Sequence, residues 1–332
     1  MAYDIQQLID DCQHEIGVLG IRLPKNSDFK HNLEIIRECN SDRASDPLGF
    51  KESWADRRDE WHAALTSVVK VSRIVRVLRG TPNLKPSLEV VVQGNTVQDF
   101  SQSHAKDILY ELDLASQLKE SLFDVQLREP PDLLIRGNCL SGPLAIACKY
   151  PSSRNQLHTR FTEGRHQIAR QGFDGLVVIG MDLIIGIELI RDFMDENGRA
   201  AVPVFDLDAA PCNPFEFFLA RIGREVRRLE AERPLDYPSE MPINELLMTF
   251  SLVGFCGDPP TVTNIMSATL YAHTQEHPRC ADFRIIERAF NGVGAGLPPG
   301  NRWSTAAVRD KRDVHGIHLG IVALGIRPAR AP

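Results

Sequence analysis

The run Leu144-Ala145-Ile146-Ala147-Cys148-Lys149-Tyr150 constrains this chain more than any other stretch. As a strand it puts Ala145, Ala147 and Lys149 on one face and Leu144, Ile146 and Cys148 on the other. Lys149 then points away from the mostly apolar side, next to a position whose side chain is only a methyl. Just before it, Asp132 to Arg136 reads as a short strand, and the Gly-rich stretch Gly137 to Pro143 reads as the reversal between the two. After it, residues 153–171 read as a helix on which Glu163 and Gln167, four apart, stack along one edge. The apolar run Gly175 to Met181 then fits a strand covered on both faces. Strand, turn, strand, helix, strand reads as an α/β arrangement.

Upstream, a helix from about His104 to Glu120 sets Ile108, Glu111, Ala115 and Leu118 on one stripe, and Phe123 to Arg128 reads as another strand. A carboxylate on an apolar stripe is costly unless a cation, metal or donor meets it, which singles out Glu111. Pro131-Asp132 and, after the hairpin, Ala147-Cys148-Lys149 at the end of a hydrophobic strand resemble the motif of the PD-(D/E)XK nuclease superfamily. The likeness spans roughly residues 101–183 and includes the order of helix, three strands, helix and strand. The chain departs from the motif at Ala147, where the family carries Asp or Glu. In a subgroup of restriction endonucleases the glutamate moves to the following helix, and Glu163, fourteen residues past Lys149, has that spacing.

The resemblance implies a restriction-endonuclease-like sheet and phosphodiester hydrolysis with Mg²⁺ or Mn²⁺. It makes Asp132, Glu163 and Glu111 the expected metal ligands, with Asp132, Lys149, Glu163 and Gln167 as the catalytic group. Arg160, Arg165 and Arg170 are expected on the substrate backbone. Between Glu60 and Glu89 there are cations but no acids, so Lys70, Arg73 and Arg76 form a second expected phosphate-binding stripe. The expected substrate is nucleic acid, DNA in the first instance. A role in restriction or antiviral defence is implied, and a protein partner or a homo-oligomer is compatible with it.

With 332 residues and 43% hydrophobic content the chain has room for one large domain or two ordinary ones. The expected organisation is a helical module over 1–95, a nuclease-like core over 96–275 and a C-terminal extension over 276–332. Within the core and extension, a helix is expected after Asn213-Pro214, a strand from Leu246 to Phe255, a helix from Thr261 to about Glu276 and a strand near Ile317 to Ile326. A net charge of −6 excludes a generally basic coat, so nucleic-acid contact has to come from local clusters. Seven cysteines without a CxxC pair read as reduced thiols of a cytoplasmic protein, and neither a secretory leader nor a membrane span is legible.

The glycines at 292, 294 and 296 follow a helix and run into Pro298-Pro299, unlike a dinucleotide fingerprint, and His273, His277 and Cys280 lack a fourth zinc ligand. No serine-hydrolase elbow or phosphate-binding P-loop is present. The residues leave three alternatives open. The fold has lost its chemistry at Ala147 and only binds, or Lys149 forms a structural ion pair with Asp132, or Ala147 replaces a natural glutamate.

Overall fold

The computed structural model describes residues 5–45, 57–94, 103–129, 132–184, 245–256, 261–271, 278–290 and 318–324. Among the described residues four helices open the chain: α1 (Ile5–Val18), α2 (Asp28–Ser45), α3 (Arg58–Val77) and α4 (Leu84–Gln93). Helix α3 carries Trp61, Leu65, Val68, Val71, Ile74 and Val75 at near-zero exposure, on more than one face. A helix buried on most sides has to be central; α3 lies between α1 and α2 on one side and the helix His104–Glu120 on the other. Pro86 sits in the first turn of α4, where its missing N–H costs no helical bond. The stretch Leu88 to Gln93, readable as strand or helix, is helix.

Helix α5 (His104–Glu120) starts at Ser103, whose hydroxyl accepts the Lys106 N–H at 3.2 Å. It covers one face of the sheet and is covered in turn by α3. Strands β1 (Asp124–Leu127), β2 (Leu133–Arg136) and β3 (Leu144–Lys149) form an antiparallel meander. Helix α6 (Leu157–Ala169) then crosses the opposite face, and β4 (Gly175–Gly180) returns parallel to β3. Strand β5 (Glu245–Cys256) pairs parallel to β4, and β6 (Thr261–Tyr271) and β7 (His318–Leu324) continue antiparallel, giving a seven-stranded mixed sheet in chain order. Helix α7 (Cys280–Phe290) packs on β6 and α5. The chain is α/β, with a mixed sheet flanked by helices.

The expected helix from Thr261 is instead strand β6, paired with β5 over its whole length. Thr261, Val262, Thr263, Ile265 and Thr269 are β-branched and favour an extended backbone, and β5 supplies a ladder that a local reading does not see. The helix expected after Asn213, the glycines at 292–296, and His273 and His277 lie outside the described residues. One hydrophobic cluster runs through α1 to α5, the α5 face of the sheet and α7, so the core is continuous across the expected boundary near residue 95.

Two small residues set the spacing between α6 and the sheet. A Cβ on Gly164 would lie 2.8 Å from Val177 Cγ1 and 3.4 Å from the Ala147 methyl. The helix backbone therefore rests directly on β3 and β4, and the space above Ala147 is filled by main chain at Gly164.

Candidate active site

The hairpin carries Asp132 to the start of β2 while β3 ends at Lys149, so both reach one end of the sheet. Asp132 is 9% exposed, and its Oδ2 accepts the Cys148 N–H at 2.6 Å. Lys149 Nζ stands 3.7 Å from the same oxygen, beyond hydrogen-bond reach. Gln167, from the third turn of α6, closes the gap: its Oε1 accepts from Lys149 Nζ at 2.7 Å, and its Nε2 donates to Asp132 Oδ1. Accepting from an ammonium and donating to a carboxylate fixes the amide orientation. The ammonium is thus steered by the amide rather than collapsed onto the acid.

Glu111 approaches the same end from α5, on the other face of the sheet. Its carboxyl is half-buried, and burial, then the charges of Asp132 and Glu129, push its pKa up to about 9 against the opposing pull of Lys149. Asp132 is also raised, chiefly by burial, with Lys149, the Cys148 N–H and Gln167 acting against the shift. Cys148, between them, is pushed well above its usual range by burial and by the two carboxylates. Burial is the main cause of all three shifts, and the Lys149 ammonium opposes each of them.

Among the described residues no three His, Cys, Asp or Glu side chains converge to hold a metal ion. Asp132 and Glu111 carry carboxylate oxygens, the hard donor type that Mg²⁺ and Mn²⁺ take. Each Asp132 oxygen keeps a lone pair beyond the hydrogen bonds it accepts.

Glu163 does not join this group. Its side chain is 48% exposed and pairs with Arg160 Nη1 at 2.9 Å. Its place one turn from Gln167 puts it on the right edge of α6, but Gly164 rather than Glu163 faces Ala147. The expectation that Glu163 supplies the acid missing at Ala147 is corrected here, because the helix main chain at Gly164 occupies the space above the Ala147 methyl. Arg165 is buried, with its guanidinium 5.6 Å above the Phe161 ring, so it packs instead of meeting substrate. Arg170 caps the end of α6 and is exposed.

The expected basic stripe on α3 is also corrected. Lys70 and Arg73 are buried and face Asp113 of α5, Lys70 at 3.6 Å and Arg73 in direct contact. Lys70 donates to Ser251 Oγ at 2.7 Å, and Ser251 donates to Asp182 Oδ1 from both its N–H and its hydroxyl at 2.8 Å. Arg76 is 3.5 Å from Glu120 and remains half-exposed. Acids from other helices neutralise cations that a local charge count leaves unopposed.

No family model, curated protein or solved structure matches the chain. The assignment therefore rests on geometry and chemistry. Two participants escaped the sequence reading. Glu129, next to Arg128 whose N–H donates to Asp132 O at 3.0 Å, adds a third carboxyl group to the surroundings of Asp132 and Glu111. Asp113 is legible only as a buried acid once α3 is seen to cover α5.

Proposed function

We propose that the chain is a metal-dependent nuclease with a PD-(D/E)XK-like core. The observation that carries this is the Asp132–Gln167–Lys149 chain at the open end of the β2–β3 hairpin, with the Glu111 carboxyl in the same electrostatic neighbourhood. The order α5, β1, β2, β3, α6, β4, with β3 and β4 parallel, supports it as the element order of the resemblance.

Asp132 and Glu111 would hold the divalent ion, which supplies Lewis-acid neutralisation of the phosphate and a more acidic water. Lys149, held through Gln167, presents its ammonium to a non-bridging phosphate oxygen and offsets charge as the phosphorus is attacked. Gln167 keeps Lys149 from a tight ion pair with Asp132, leaving both available. Arg170, and Arg160 when it leaves Glu163, lie on the exposed side of α6 as contacts for a phosphate backbone. Nucleic acid is the substrate in this reading, DNA in the first instance, and a place in restriction or antiviral defence follows from the resemblance alone.

The test is cleavage of single- and double-stranded DNA and RNA at low salt with Mg²⁺ or Mn²⁺, beside the Asp132→Asn and Lys149→Met variants. Metal-dependent cleavage by the wild type that both variants lose supports the reading; intact substrates throughout refute it. A second reading, a nuclease-like core that binds without cutting, is favoured by Ala147 and by the Arg160–Glu163 pair. It predicts nucleic-acid binding that survives both substitutions and is indifferent to Mn²⁺.

A further inference from the structure

Strand β1 pairs only with β2 among the described residues, so its outer side is a free edge. The register shows which main-chain groups that edge presents. The Arg128 N–H donates to Asp132 O, and in an antiparallel ladder the residues facing the partner alternate. Gln126 and Asp124 therefore face β2, whereas the N–H and C=O of Val125 and Leu127 face outward. The Leu127 carbonyl bears this out: Asn83 Nδ2 donates to it from the outside at 3.1 Å. Asn83 does so from a left-handed backbone, φ 67°, a conformation asparagine tolerates better than most residues. Asn83 satisfies one acceptor, and among the described residues nothing meets the Val125 N–H, the Val125 C=O or the Leu127 N–H.

Alongside this edge lies an open cleft of about 630 Å³, bounded by the Gly80–Asn83 turn and by Lys119, which donates to Thr81 Oγ1 at 2.8 Å. A new strand sits about 4.8 Å from the one it pairs with, and the cleft gives that room to a single extended chain. The flanking turn obstructs a whole second sheet, which argues against edge-to-edge pairing of two copies. The charges lining the cleft cancel, with Lys119 and Arg128 against Asp124 and Glu129, so it suits a peptide better than a polyanion.

Asp124, Gln126 and Arg128 alternate on the face of β1 opposite the buried Val125 and Leu127. Asp124 also stands across from Arg136 of β2, and its other flank is the one an added strand would meet. Opposite charges pair directly across strands. An antiparallel chain would therefore place an acid opposite Arg128, a polar residue opposite Gln126 and a base opposite Asp124. We propose that the free edge of β1 is a docking site for an extended segment of a partner protein with the pattern acid-x-polar-x-base, added antiparallel as a further strand. The proposal is independent of the catalytic reading.

The experiment uses the full chain and two blocked, fluorescently labelled peptides, TEVQVKT and its charge-reversed form TKVQVET, read by anisotropy and by hydrogen exchange. The first should bind and slow exchange in the segment 124–128. The second should bind roughly tenfold more weakly, the size expected for exchanging two favourable cross-strand pairs for unfavourable ones. The double variant Asp124→Lys/Arg128→Glu, first checked for a native circular dichroism spectrum because Asp124 stands across from Arg136, should invert that preference. The proposal is overturned if neither peptide binds at millimolar concentration. It is equally overturned if the wild type prefers the reversed peptide, if the double variant keeps the wild-type preference, or if a short oligonucleotide rather than a peptide protects β1.

Discussion

Replacing Glu111 by Gln tests the electrostatics on which the candidate site depends. Glu111 titrates near 9 in the folded chain, chiefly because it is buried and then because Asp132 and Glu129 repel its charge. An unfolded glutamate titrates near 4.3. Below that value both states carry the proton and pH has no effect through this group. Between the two values the folded state keeps a proton that the unfolded state has shed, so stability falls as pH rises, by about 1.4 kcal/mol per pH unit, and levels off above the folded value. From pH 5.5 to 8 the loss is at most about 3 kcal/mol, since a half-buried carboxyl is partly screened. Asp132 and Asp182 are raised as well and add slope of the same sign, so the comparison with Glu111→Gln isolates this one group. Urea unfolding followed by circular dichroism at both pH values should show the variant as the more stable protein at pH 8, with little difference at pH 5.5. Adding Mn²⁺ at pH 8 should recover stability in the wild type and much less in Glu111→Gln. Parallel pH dependence in the two proteins would refute the burial of the Glu111 carboxyl beside Asp132 and Glu129.

Lys149→Met should keep the native circular dichroism, because Asp132 retains the Cys148 N–H and Gln167 amide bonds; unfolding would instead assign Lys149 a structural role. Asp113→Ala strands two buried cations, Lys70 and Arg73, and should cost about 3–5 kcal/mol in a denaturant titration. Gly164→Ala drives a methyl to 2.8 Å from Val177 Cγ1 and should destabilise by about 1–3 kcal/mol, a loss that Val177→Ala in the same chain partly restores, measured as a double-mutant cycle. Glu163→Gln should leave Mn²⁺ affinity by calorimetry unchanged and shift stability by less than about 0.5 kcal/mol, since it removes only an exposed pair with Arg160; a large loss of affinity would return Glu163 to the metal site.

What the sequence made legible follows the range of the interactions involved. The period of two in Leu144–Lys149 decides which residues share a face, and the antiparallel pairing of β2 with β3 brings Asp132 and Lys149 to one end of the sheet. Glu111 was legible because an acid on an apolar stripe violates a local rule, and such violations gather where a partner is supplied from elsewhere. Charges whose partners lie far along the chain were not legible: Lys70 and Arg73 meet Asp113 some forty residues on, and Lys70 also meets Ser251 across the sheet. Strand β6 belongs to the same class, since its pairing with β5 decides between two backbones that its own residues permit. The fate of Glu163 turned on less than a helical turn. Its spacing from Lys149 suits a migrated ligand, yet the close approach of α6 at Gly164 directs Gln167, and not Glu163, between the ammonium and the acid. Spacing along a helix identifies the edge a residue occupies, whereas the depth at which the helix rests on the sheet decides which residue of that edge reaches the site.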